Sequence, residues 1–125
     1  MALEGFEAVS FGNAGLTVSV TKNGTTFNKT VVEKLSKAPN VVLMINKESK
    51  QFAIRAANTR DNVTMPFYSS AQKSPSVRWN SKEFLRTLSD LASWDLANTT
   101  GYHINGTYLM PEKAIVFDLG DAIPN

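Results

Sequence analysis

The sequence predicts an α+β fold: two unequal β-α-β-β units packed as one pseudo-symmetric domain. Three observations predict it. Two helical segments are each entered by an aromatic followed by a capping asparagine, as Thr26-Phe27-Asn28-Lys29 and as Arg78-Trp79-Asn80-Ser81. Each segment is followed by two strand-length apolar runs around a polar turn, one at Lys47-Glu48 and one at Glu112-Lys113. The 125 residues, 42% hydrophobic and 19% charged, suit a single folded domain. Unit one covers about 16–57, a loop covers 58–76, and unit two covers about 77–119. The cap-to-turn spacing differs between units, so the repeat is not strict. Duplication accounts for it, and so do two independent uses of ordinary capping and hairpin chemistry.

Leu16 to Val20 alternates apolar and polar residues, the period of a half-buried strand. Lys22-Asn23-Gly24 supplies an Asn-Gly hairpin turn, and Thr25-Thr26-Phe27 resumes a strand. Asn28 caps a helix running to about Lys37, with Val31, Val32 and Leu35 as its apolar stripe and Pro39-Asn40 as its stop. Val41–Ile45 and Gln51–Ala57 read as a hairpin across the polar turn Asn46–Lys50.

The loop 58–76 contains Pro66, Pro75 and many Ser, Thr and Asn residues, with Met65, Phe67 and Tyr68 able to pin its middle to the core as a short strand. Asn80 with Glu83 three positions on forms a capping-box start. Phe84, Leu85, Leu88 and Leu91 then share one helical face, and the helix ends between Leu91 and Asn98. Tyr102–Met110 and Ala114–Leu119 form the second hairpin, and Gly120–Asn125 is a tail. Gly12 and Gly15 flank Asn13-Ala14 in an ordinary connection.

Composition narrows the function classes. The chain has no cysteine, which removes disulfides, thiolate metal sites and cysteine nucleophiles and suits a reducing, cytoplasmic setting. Met1–Leu16 has neither the basic start nor the apolar run of a signal peptide. No run of about 18 apolar residues is present to span a membrane. Asn-x-Ser/Thr triplets begin at Asn23, Asn28, Asn62, Asn98 and Asn105, and an Asn- and Thr-rich composition accounts for them.

Catalytic chemistry finds little footing. His103 is the sole histidine, in an alternating strand segment without a nucleophile or orienting partner. A strand histidine making a local hydrogen bond is the expected reading. Asp118 with Asp121, and Asp90 with Asp95, lie close in sequence but in no known loop motif. Trp94 is the aromatic best placed to be exposed for stacking, although packing is the commoner role for Trp79, Trp94, Tyr68, Tyr102 and Tyr108. No enzyme, cofactor, metal or small-molecule substrate is expected.

Charge is uneven. Residues 1–60 carry eight Lys/Arg against four Asp/Glu, and residues 61–125 carry five against seven. A basic half can mark a phosphate-facing surface, or simply a solvated one.

The stretch Val18–Leu35, with its Lys-Asn-Gly turn, Phe27-Asn28-Lys29 and the helix ending Glu33-Lys34-Leu35, resembles the AbrB-like swapped-hairpin DNA-binding family. Pro39-Asn40 and the hairpin over 41–57 continue its order, so about 40 residues are covered. The resemblance implies a dimer, or a pseudo-dimer within one chain, whose basic loop face grips double-stranded DNA. Lys22, Lys29, Lys34 and Lys37 would be its phosphate contacts. Asn28 stands where the family usually has proline, Val32 where it has a DNA-facing arginine, and Ser36 and Asn40 where it has glycines. The chain also looks like small proteins of phages and prophages. The sequence therefore leaves two expectations: a DNA-binding transcriptional regulator, or a phage-encoded protein-binding or assembly module that self-associates, as a homodimer, through a hairpin edge or helix face.

Overall fold

The computed structural model describes residues 15–125, so the Gly12–Ala14 connection lies outside the described residues. Among the described residues strand outweighs helix, 38% to 21% with the 3₁₀ turns counted, and the strands curl into a half-barrel. The chain runs β1 (Thr17–Thr21), β2 (Gly24–Phe27), α1 (Lys29–Lys34), β3 (Asn40–Asn46), β4 (Gln51–Ala56), β5 (Met65–Pro66), β6 (Val77–Trp79), α2 (Lys82–Ala92), β7 (Tyr102–Leu109), β8 (Ala114–Asp118) and β9 (Ile123–Pro124). Short 3₁₀ turns occupy Leu96–Asn98 and Leu119–Asp121.

All strand pairs are antiparallel, and the sheet order is β5-β3-β4-β8-β7-β1-β2-β6, with β9 added on β7. This overturns the expected pair of β-α-β-β units. The proposed units do not pack as bodies, because they exchange strands. β4 of the first pairs β8 of the second along its length, and β2 pairs β6. β1 lies between β2 and β7 and has no counterpart in the second half. The helices also differ: α1 has six residues and α2 eleven.

α1 stops at Lys34 instead of about Lys37 because Ser36 and Lys37 both take left-handed backbone, at φ 58° and 53°. Its start is built as the sequence indicates. Asn28 Oδ1 accepts from Val31 N at 3.1 Å and from Thr17 N at 3.3 Å, while its Nδ2 donates to Gly15 O. One side chain thus caps α1 and ties it to the start of β1. The second cap is shifted by one residue. Ser81, not Asn80, accepts from Phe84 N, at 3.2 Å, and Asn80 Oδ1 is engaged by Arg78 Nε. Met65 and Pro66 do form the short extra strand, and the tail contains β9.

The core fills the concave side of the sheet. Phe27, Phe117, Phe52, Phe84 and Trp79 make a closed circuit of ring contacts with centroids 4.9–6.1 Å apart. Val18, Val20, Ile54, Ile104 and Ile115 are buried around them, with Val31 and Val32 from α1 and Leu88 from α2. Gly106 on β7 is required by this packing, since a Cβ there would sit 2.7 Å from both Ile115 Cγ2 and Phe117 Cε1.

Candidate functional site

Among the described residues, β3 is a long strand left largely open on one side. Its sequence, Asn-Val-Val-Leu-Met-Ile-Asn, is β-branched and apolar between two asparagines and forms a regular strand. On one side it pairs with β4 along its whole length, from Val41↔Ala56 to Asn46↔Gln51. On the other side β5 covers only Asn40 and Val41. Among the described residues, nothing pairs with Val42–Asn46 on that side.

The direction of the free groups follows from the ladder. Ala57 N donates to Asn40 O at 2.9 Å, and antiparallel bonding alternates along the strand. Asn40, Val42, Met44 and Asn46 therefore turn their backbone groups to β4. Val41 turns to β5, and Leu43 and Ile45 turn theirs to the open side.

Side-chain alternation places Leu43 and Ile45 on the concave face, opposite buried Ile54 and Phe52. Together with Met65, Phe84 and Thr87 they line a groove between the strand edge and the first turns of α2, with Glu83 on its rim. Met44 and Ile45 are 38% and 37% exposed, on opposite faces of the same edge.

The neighbouring turns are firmly held. Asn46 Oδ1 accepts from Glu48 N and Ser49 N, both at 3.1 Å. On the loop beyond β4, Arg55 and Asp61 form a two-pronged pair at 3.0 and 2.7 Å, and Asp61 Oδ2 also accepts from Asn58 N at 2.8 Å. The Arg55 hydrogen bond, then that of Asn58, holds the Asp61 carboxyl down to about 2. The same bond raises Arg55.

The four lysines expected to contact phosphate do not form one cluster. Lys22 lies in the β1–β2 turn beyond the Thr21↔Gly24 pair, whereas Lys29 follows Asn28, whose backbone N–H bonds Thr17 O at the opposite end of β1. The length of β1, roughly 14 Å by strand rise, separates them. Lys29 Nζ is 3.6 Å from Glu33 Oε1. Lys34 Nζ sits 4.5 Å from the centre of the Tyr108 ring, and Lys37 Nζ 5.9 Å from that of Tyr68. Lys29 and Lys37 share a shallow cavity with Tyr68, Pro75 and Glu33, and Lys34 does not line it.

His103, Trp94, Asp118 and Asp95 have local partners. His103 Nδ1 is 2.9 Å from Asn125 Oδ1. Trp94 is half-buried, with one face stacked on Tyr102 at 4.4 Å. Asp118 accepts from Gly120 N and from Gln51 Nε2. Asp95 accepts from Asn98 Nδ2. Among the described residues no group of three or more His, Cys, Asp or Glu could hold a metal ion, and no helix is long and apolar enough to cross a membrane.

In comparisons with protein-family models, curated proteins and solved structures, none matches this chain.

Proposed function

We propose that this chain is a non-catalytic binding protein whose partner is another protein, taken as an added strand along β3. One observation carries this reading: Leu43 and Ile45 turn their backbone N–H and C=O groups to the open side of β3, where no strand among the described residues receives them, and their side chains line the adjoining groove. Strand addition uses such an edge. Main-chain bonds supply affinity, and alternate side-chain positions supply selectivity. Natural proteins usually blunt an open edge with lysine or proline, and Val42–Asn46 contains neither.

DNA binding is the weaker reading. It needs several phosphate contacts on one face, and Lys22 stands apart while Lys29, Lys34 and Lys37 each face an internal partner.

Amide exchange in dilute protein tests the proposal. The amides of Leu43 and Ile45 should exchange much faster than those of Val42 and Met44, which bond to β4. Equal protection at all four positions would mean the edge is already filled and would overturn the reading. In parallel, fluorescence anisotropy of labelled duplex DNA at low salt should not change on adding the protein. A rise that weakens steeply with salt would favour the DNA reading instead.

A further inference from the structure

Resting on that reading, we infer that the strand received at β3 is β3 of a second copy, paired antiparallel about a two-fold axis at Met44. The segment left free by β5 is Val42–Asn46, and its midpoint is Met44. Antiparallel self-pairing about that midpoint sets Val42 against Asn46, Leu43 against Ile45, and Met44 against itself. This register joins the groups that are free. Leu43 and Ile45 both point outward, so Leu43 of each copy exchanges backbone bonds with Ile45 of the other. Centring on Leu43 would call on Val41, which β5 already holds. Centring on Ile45 would draw Lys47 out of the hairpin turn.

The register also ends where it must. β3 finishes at Asn46, opposite Val42, and the next position along the receiving edge is occupied by Met65. The incoming chain turns back toward its own β4 at that point, held by the Asn46 side chain.

The side chains fit the same arrangement. Leu43 and Ile45 of the second copy fall on the concave face, in the groove lined by Leu43, Ile45, Met65 and Phe84. On the convex face the two half-exposed Met44 side chains meet across the axis. No charged residue lies in Asn40–Asn46, so the two-fold brings no like charges together within the strand. An isologous contact of this kind closes as a dimer and leaves no further β3 edge for growth. It is small, at the low end of protein interfaces and below about 1,200 Å². A weak, concentration-dependent dimer follows.

Sedimentation velocity from micromolar protein up to roughly 1 mM, where a dissociation constant of that order half-fills the interface, reads the equilibrium. The expected result is a shift from monomer to dimer, with Leu43 and Ile45 amides becoming protected as concentration rises. Met44→Lys, on an exposed side chain, should keep the circular dichroism of the parent and remain monomeric. Ile45→Pro removes an N–H that β4 does not use and should also remain monomeric. The chain has no cysteine, so Met44→Cys places a unique thiol about 4.5 Å from its mate between Cα atoms. That is within disulfide range. Oxidation should crosslink it, and Ala53→Cys, one strand further in, should not crosslink. A monomer at roughly 1 mM with both amides still exposed overturns self-pairing, and leaves strand addition to a different protein. A dimer that survives both Met44→Lys and Ile45→Pro, or that leaves the two amides unprotected, places the interface elsewhere and also overturns it.

Discussion

The indole Nε1 of Trp79 donates to the carbonyl oxygen of Pro66 at 2.9 Å. Trp79 lies on β6 and Pro66 on β5, the last and first strands in the sheet order. The curl of the sheet thus brings its two ends together around the Phe27 and Phe67 rings, which contact Trp79 and each other. The bond also anchors β5, whose shortness leaves most of β3 open.

Trp79→Phe keeps an aromatic in this site and removes the indole donor, leaving the Pro66 carbonyl without it. Pro66 is exposed, so water can take the place of the indole, and the expected loss is that of one ordinary hydrogen bond, about 0.5–1.5 kcal/mol. Urea unfolding checks it. Faster amide exchange at Phe67 and Tyr68, which bond Pro39 O and Ala38 O, would show that the β5 end had loosened.

Thr25 is 1% exposed, and its Oγ1 has no hydrogen-bond partner among the described residues. Thr25→Val replaces that hydroxyl with a methyl of similar shape. A gain of about 1–2 kcal/mol is expected, since the desolvation penalty disappears while the strand residue stays β-branched. Thermal unfolding reads it as a raised Tm. An unchanged or lowered Tm would mean that the hydroxyl has a role in the folded state.

Asn28→Ala removes the α1 cap and the tie to β1 together. A cap alone costs about 0.5–2 kcal/mol, and the bonds to Thr17 N and Gly15 O place this substitution at the upper end. Asn28→Asp keeps the oxygen that receives Val31 N and Thr17 N but loses the donor to Gly15 O, so it should recover part of the loss. Denaturant unfolding of the three proteins gives the order.

The pH dependence follows from Asp61. Its carboxyl is held at about 2 in the folded chain, below the ordinary value of 3.8. A depressed acid stabilises the fold fully above 3.8, and that share is lost as pH falls through about 2. Acid unfolding of Asp61→Asn should therefore differ from the parent less and less as pH falls across this window. A gap that stays constant from pH 5 to about 2 would show that the Arg55 pair does not couple to folding. The side chains of Arg55 and Asp61 are only partly exposed, so added salt weakens the effect without abolishing it.

Most local structure was legible in the sequence because it rests on near neighbours. The Leu16–Val20 alternation, the Asn23-Gly24 turn, the Asn28 cap and the Phe84–Leu88 stripe each act within a few residues. Where a signal was shared, the boundary slipped by a step: Asn80 and Ser81 can both cap, and the geometry uses Ser81 because Arg78 occupies Asn80. The open edge was less legible. The run Val41–Ile45 reads as a strand either way, and an apolar run does not say whether it has one neighbour or two.

The sequence by itself determined most of the strands and both helices, though not β9 in its tail or the end of α1, because caps, turns and periodicity depend on the chain's own steric and hydrogen-bonding chemistry. Only the tertiary structure decided which strands are neighbours. The β4–β8 and β2–β6 pairs join residues 50 or more positions apart, and no local propensity encodes such a choice. That pairing replaced two unequal, pseudo-symmetric units with one curled sheet, separated Lys22 from the lysines of α1, and left the outer side of Leu43 and Ile45 without a strand among the described residues. The reason is physical: each strand can satisfy its backbone with any partner of suitable length. The partner chosen is the one that lets Phe27, Phe52, Phe84, Phe117 and Trp79 leave water together.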